Sequence, residues 1–275
     1  PGFVLGGRVV TTTDDVVPAY TLLVMRRLGV VRQLVAARSI VDPDGRFRVR
    51  VTSGEYELVA APSGWAPSAP TIASAGETEA KVVVSAGATL SGRVVDAKTG
   101  ESVAHARIMR EAAGGGASAQ PANAGTVTRE DGTFELTGIP AGPVSITIGG
   151  GGYHPKIEAG MTAADGATIG PLVVALTPLA EGEKPTLELV GIGVKLRAER
   201  DAIIVDFVIP EGGAAIAGIV AGDRIVAVDG VGTDKLGMDG AVSRIRGAVG
   251  TKVAVTIRRG EQETQLVVER KKVKA

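Results

Sequence analysis

The chain has 275 residues, 44% of them hydrophobic, with 30 basic and 30 acidic side chains and no cysteine. That length suggests two or three domains, and the hydrophobic content excludes wholesale disorder. The charge balance removes the simplest case for a nucleic-acid or anionic-membrane binder, and the missing thiols exclude disulfide scaffolds, thiolate nucleophiles, zinc–cysteine sites and iron–sulfur clusters.

The chain opens at Pro1 rather than Met, as expected of a processed protein or an excised fragment. The most apolar stretch, Val16 to Val41, is interrupted by Arg26, Arg27, Arg32 and Arg38, and no run approaches the ~18 apolar residues of a membrane-spanning helix. The 39 glycines suggest many turns and argue against a helical bundle.

An internal repeat covers roughly the first 178 residues. Leu5-Gly6-Gly7-Arg8-Val9-Val10 matches Leu90-Ser91-Gly92-Arg93-Val94-Val95, and Asp42-Pro43-Asp44-Gly45-Arg46-Phe47 matches Arg129-Glu130-Asp131-Gly132-Thr133-Phe134. Gly7 precedes Gly92 by 85 positions and Gly45 precedes Gly132 by 87. Two landmarks at nearly one offset mark two related domains. Gly54-Glu55-Tyr56-Glu57-Leu58 and Gly142-Pro143-Val144-Ser145-Ile146 also correspond in position.

Both copies read as β. Arg46 to Val51 alternates polar and apolar residues. Asp-Gly between strand-like runs predicts a tight hairpin turn, since glycine tolerates positive φ. Leu22, Met25, Leu28, Val31, Leu34 and Val35 fit a helical stripe. The repeat instead sets Val17 to Arg27 opposite the strand-like Val103 to Arg110, which favours a strand pair around Gly29. Trp65, in a Pro/Ser/Ala-rich segment, reads as a packing anchor. Ala112 to Gly125 lacks periodicity and reads as a mobile loop. Gly149 to Gly152 lacks the Gly-Lys-Ser/Thr ending of a phosphate loop and reads as a flexible strand connection. His105 reads as a strand surface residue. His154 lies in a glycine-rich loop, and neither histidine has a spaced metal-ligand partner.

These halves resemble carboxypeptidase regulatory-like domains. The resemblance rests on the G-R-V-V strand, the element Val103-Ala104-His105-Ala106, the D-G-x-F turn and the strand Gly54 to Leu58. It is better in the second copy; the first departs after Val10. It implies transthyretin-like β-sandwiches, non-catalytic accessory modules common in secreted and envelope proteins of bacteria.

Thr177 to Thr186 is polar and proline-bounded, which predicts a linker that permits some reorientation. Beyond it, Gly191-Ile192-Gly193-Val194 fits an X-Φ-G-Φ loop, followed by Ala221-Gly222-Asp223-Arg224-Ile225-Val226-Ala227-Val228-Asp229-Gly230. Met238 to Arg246 reads as a helix, and Thr251 to Arg258 and Thr264 to Glu269 as strands. Asp223 reads as a turn aspartate beside an exposed Arg224. The basic run from Arg270 to Lys274 reads as a solvated end.

This region resembles bacterial PDZ domains, in the variety found in C-terminal processing proteases, with their permuted last strand. The expected fold is therefore mainly β: two tandem transthyretin-like β-sandwiches (1–86 and 87–178), a linker (179–186) and a PDZ domain (187–275), a partly open β-barrel with two helices.

A glycine-containing loop lets consecutive N–H groups converge on a carboxylate, and an adjacent strand edge can accept an added strand. Gly191 and Gly193 permit that nest, with N–H donors from Ile192, Gly193 and Val194. The resemblance implies that Ile192, Val194, Leu196 and Ile245 line the pocket for the last side chain. Met238, where many PDZ domains carry His, and Val242 then favour an apolar side chain two residues before the terminus. Relatives often place Arg or Lys shortly before the loop; here the nearest is Lys184. Gly240 weakens the helix by about 1 kcal/mol relative to Ala.

No Gly-x-Ser-x-Gly elbow, Ser–His–Asp set or His-x-x-Glu motif is present, so no catalytic residue, metal site or cofactor is expected. The expected function is a non-catalytic adaptor of the bacterial envelope or secreted space, located in the periplasm, at the outer membrane or outside the cell. Its partner would be a peptide or protein C-terminus with apolar residues, within a larger envelope assembly and without nucleic acid. The alternatives are a regulatory segment of a larger protease or secretion machine, and a structural subunit with a blocked groove.

Overall fold

The computed structural model describes residues 2–111 and 125–274. The first seven strands are β1 (Phe3–Thr11), β2 (Ala19–Leu28), β3 (Val31–Val41), β4 (Arg46–Val51), β5 (Glu55–Ala61), β6 (Thr71–Ser74) and β7 (Ala80–Val84). They form two facing sheets, ordered β4-β1-β7 and β3-β2-β5-β6. Alternation along each strand sends Leu5, Val9, Leu22, Val24, Phe47, Tyr56, Leu58 and Val82 into one core between them. Trp65 packs against that core. The 22–35 stripe is a strand pair, β2 with β3, turning at Gly29 and Val30.

The second unit repeats this topology with β8 (Ala88–Asp96), β9 (Arg107–Arg110), β10 (Gly125–Val127), β11 (Thr133–Ile139), β12 (Gly142–Gly149), β13 (Lys156–Ala163) and β14 (Thr168–Leu176). Its sheets run β11-β8-β14 and β10-β9-β12-β13. Each strand takes the place of the one seven earlier. In both copies the first and last strands pair parallel. The stretch read as a mobile loop lies outside the described residues, apart from Glu111 before it and Gly125, which opens β10.

The Asp-Gly reading needs correction. Asp44-Gly45 and Asp131-Gly132 do not close hairpins; each carries the chain from one sheet to the other. Gly45 N–H donates to Asp42 O and Gly132 N–H to Arg129 O, both at 2.9 Å. The turn is tight, but its flanking strands pair elsewhere. Positive φ at Gly45 and Gly132 brings their carbonyls under the N–H groups of Val9 and Val94. His105 is also corrected: it occupies a turn at φ 57°, exposed, with Nε2 3.3 Å from Glu130.

The C-terminal unit comprises β15 (Glu188–Gly191), β16 (Val194–Glu199), β17 (Ala202–Val208), α1 (Gly213–Ile216), β18 (Arg224–Val228), β19 (Val231–Gly232), α2 (Thr233–Ile245), β20 (Lys252–Arg259), β21 (Gln262–Glu269) and β22 (Lys271–Lys274). Its main sheet runs β16-β17-β18-β20-β21. Asp229-Gly230, both at positive φ, do close a two-residue hairpin between β18 and β19.

Two expectations fail in this unit. The basic end is not solvated: residues 271–274 form β22, which pairs with β15, and β15 pairs in turn with β13 of the second sandwich. The 179–186 stretch is also not a free tether. His154, 1% exposed, accepts hydrogen bonds at Nδ1 from the N–H (3.0 Å) and hydroxyl (2.9 Å) of Thr186, while Nε2 lies 3.2 Å from Glu183. Glu188 N–H donates to Pro155 O at 2.8 Å. A histidine buried in a glycine-rich loop thus anchors the connection it was expected to leave loose.

Candidate functional site

The groove expected from the sequence is bordered by β16 and the second part of α2. Gly237, at φ 68° and ψ 177°, breaks α2, so a separate helical segment starts at Met238. Among the described residues β16 pairs only with β17, leaving its groove-side edge without a strand. The loop at its head is Gly191-Ile192-Gly193-Val194. Its carbonyls are engaged from the far side: Ala214 N–H donates to Ile192 O and Ile209 N–H to Gly193 O, each at 2.8 Å. Among the described residues the N–H groups of Ile192 and Gly193 donate to no protein acceptor. Gly193 sits at φ 79°, and a Cβ there would meet the Gly212 backbone at 3.2 Å. The left-handed backbone at this position favours glycine, and the Gly212 approach is tight.

Ile192 and Ile245 are buried at 1% and 5% exposure, and Val194, Leu196 and Met238 pack partly buried against the same cluster. Val242 is half-buried on the helix. Gly240 is accommodated with Leu236 beside it. All eight residues named from the sequence thus fall on the loop, the edge strand or the helix.

Three residues completing this region were not legible as part of it. Lys271 stands opposite Gly191 in the β15–β22 register, and its Nζ lies 3.3 Å from Glu211 O in the adjoining turn. Arg270, 9% exposed, donates to the carbonyls of Ile245 (2.9 Å), Arg244 (2.7 Å) and Lys252 (2.7 Å) and to Thr251 Oγ1 (3.0 Å). It satisfies the last carbonyls of the groove helix, where a cation is favoured. Burial pushes its guanidinium pKa down, with Asp229 opposing. The third is Val30, at the β2–β3 tip of the first sandwich, which is 2% exposed within the C-terminal core.

Asp223 has a structural role. It is 1% exposed, bidentate to Arg259 at 2.7 and 2.8 Å, and accepts Val220 N–H at 2.9 Å. Burial alone would raise its pKa; Arg259 and the Val220 N–H outweigh this and hold it below the usual value.

Comparison with known proteins matches residues 89–177 to the carboxypeptidase regulatory-like domain and residues 182–258 to the PDZ domain. A carboxyl-terminal-processing protease of Picosynechococcus is 33% identical over 79 residues, 28% of this chain and 19% of that protein. A probable CtpA-like serine protease of Staphylococcus haemolyticus is 33% identical over 86 residues, 31% of this chain and 17% of that protein. Both matches fall in the PDZ region, and the chain spans less than a fifth of either relative. Among solved structures, the PDZ domain of a carboxy-terminal protease from Vibrio cholerae in complex with peptide is 28% identical. It covers 32% of this chain and 98% of that one, with a TM-score of 0.29. A streptococcal ancillary pilin is 15% identical, covering 65% of this chain and 62% of that one, with a TM-score of 0.34. The chain carries a carboxypeptidase regulatory-like domain followed by a PDZ domain that resembles those of processing proteases.

Proposed function

We propose that this chain is a non-catalytic interaction module of the bacterial envelope or secreted space, whose PDZ groove captures an extended chain end with apolar residues. The observation that carries this reading is the pair of unengaged N–H groups at Ile192 and Gly193, set at the head of the open β16 edge. A terminal carboxylate would lie on these groups with Lys271 beside it. Its last side chain would enter between Ile192, Val194, Leu196 and Ile245, and an earlier apolar side chain would meet Met238 and Val242. The peptide-bound Vibrio cholerae domain supports a peptide ligand. The first sandwich is read as a second copy of the regulatory-like domain, supported by its identical strand order.

The test titrates the full chain with acetyl-Ala-Leu-Ala-Val as free acid and as amide. Charge-assisted hydrogen bonds of about 1.5–3 kcal/mol predict a loss of roughly ten- to a hundredfold on amidation. Lys271→Ala should weaken only the free acid. Equal binding of acid and amide would overturn the carboxylate reading.

A second reading has its own support. The PDZ region matches processing proteases, so the chain would serve as the regulatory segment of a larger protease. A catalytic domain co-purifying with the native protein would favour it.

A further inference from the structure

The groove has two ends, and they differ. At one end stand the Gly191–Val194 loop, Lys271 and the helix C-terminus held by Arg270. At the other end stand Arg200, just beyond β16, and Met238, the first residue of the helical segment. That end is occupied by the tip of the first sandwich. Val30 N–H donates to Arg200 O at 2.9 Å, and Met238 N–H donates to Val30 O at 3.0 Å. A single residue thus bridges the end of the strand side and the start of the helix side. Val30 is 2% exposed and joins the apolar cluster that contains Ile192, Ile203 and Ile245, with Leu196 and Met238 packed against it.

The seat is built around this tip. Gly29 has φ 61°, and a Cβ there would stand 2.0 Å from Arg200 O and 2.7 Å from Asp201 Oδ1. Gly237, whose positive φ starts the helical segment afresh, faces Val30 O; a Cβ on it would lie 3.3 Å away. Arg32 ties the tip down. Its Nη2 reaches the carbonyls of Asp234 and Lys235, both at 3.4 Å, its Nη1 reaches Gly29 O at 2.7 Å, and its Nε meets Glu57 at 2.6 Å.

We propose that the β2–β3 tip, Gly29 to Val31, is the end wall of the peptide groove, so that the site admits the last few residues of a chain end and excludes an extended segment running through it. This rests on the peptide-binding reading above. The helical segment from Met238 to Ile245 is about 12 Å long at 1.5 Å per residue, which matches about four residues of extended peptide. A longer peptide would need the place that Val30 holds between Arg200 O and the Met238 N–H. The regulatory-like sandwich thereby sets how much of a ligand the PDZ domain reads.

The experiment compares the full wild-type chain with Val30→Asp and Arg32→Ala, using acetyl-Ala-Leu-Ala-Val and an octapeptide that adds Val-Thr-Val-Thr before the same four residues. In the wild type the octapeptide should bind no tighter than the tetrapeptide. In Val30→Asp, where a charge cannot stay in the apolar seat, the octapeptide should gain at least about fivefold over the tetrapeptide as it takes the vacated position. Arg32→Ala should give a smaller gain. An octapeptide advantage already present in the wild type, or a length dependence unchanged by both variants, overturns the proposal. Amide hydrogen exchange gives an arm that needs no peptide: the Val30 and Met238 amides should exchange slowly in the wild type, and fast exchange at Val30 would sink the wall on its own. Slow exchange with no binding of either peptide to any form would instead refute the peptide-binding reading, and the length rule with it.

Discussion

Gly92 lies beneath the ring of Phe134. The two are paired across β8 and β11, and a Cβ on Gly92 would stand 2.8 Å from the ring carbons and 2.6 Å from Leu172 O. The first copy repeats this: Gly7 pairs with Phe47, and its Cβ would stand 2.9 Å from that ring and 2.0 Å from Ala80 O. Each glycine lets the ring and the parallel neighbouring strand close on the same point. Gly92→Ala should therefore destabilise the second sandwich by about 1–3 kcal/mol through overpacking. Gly142→Ala meets no heavy atom within 4 Å but sits at φ 122°, so it controls for backbone strain. Denaturant unfolding should lower the midpoint for Gly92→Ala, and an unchanged midpoint would refute the ring-over-glycine account.

The Asp223–Arg259 pair should make stability depend on acid. The folded-state pKa of Asp223 is depressed, so its stabilisation is complete above the ordinary aspartate range near pH 4 and is lost as pH falls through the folded value. Arg259→Ala removes the counter-charge from a buried carboxylate and should destabilise the fold at neutral pH. Thermal unfolding from pH 7 to pH 2 should show a smaller wild-type–mutant gap at the acid end. A gap that stays constant with pH would argue against the assignment.

His154 should fix the connection between the second sandwich and the PDZ domain. His154→Ala deletes the acceptor of two Thr186 hydrogen bonds and the partner of Glu183. Local opening should then precede global unfolding. Limited proteolysis should cut the variant within residues 179–186 at least several-fold faster than the wild type, with little change in the unfolding of the PDZ core. Cleavage at an equal rate would show that the anchor does not hold the segment.

Much of the chain was legible because its signals are local or repeated. Gly7 and Gly92 lie in one of the two repeated motifs, and Phe47 and Phe134 end the other, so the two motifs meet in one contact in each copy. The X-Φ-G-Φ loop was readable because positive φ at Gly193 favours glycine there. Asp-Gly announced a tight turn in both sandwich copies, yet it is Asp229-Gly230 that closes a hairpin. The dipeptide sets the local bend, while the partners of the flanking strands set where the chain goes next.

The sequence by itself determined the β character and the repeat of one strand order, because alternation and glycine demands are written into neighbouring residues, and its motifs carried the resemblance to a PDZ domain. Only the tertiary structure decided that Val30 sits between Arg200 and Met238, that Arg270 holds the carbonyls at the end of α2, that Lys271 stands opposite Gly191, and that His154 pins the connection. All of these except Lys271's register position rest partly or wholly on hydrogen bonds to main-chain groups, such as the carbonyls of Arg200, Ile245 and Lys252 or the N–H groups of Met238 and Thr186. Nearly every residue carries these groups, so no residue type marks the partner, and distance along the chain hides what packing brings together.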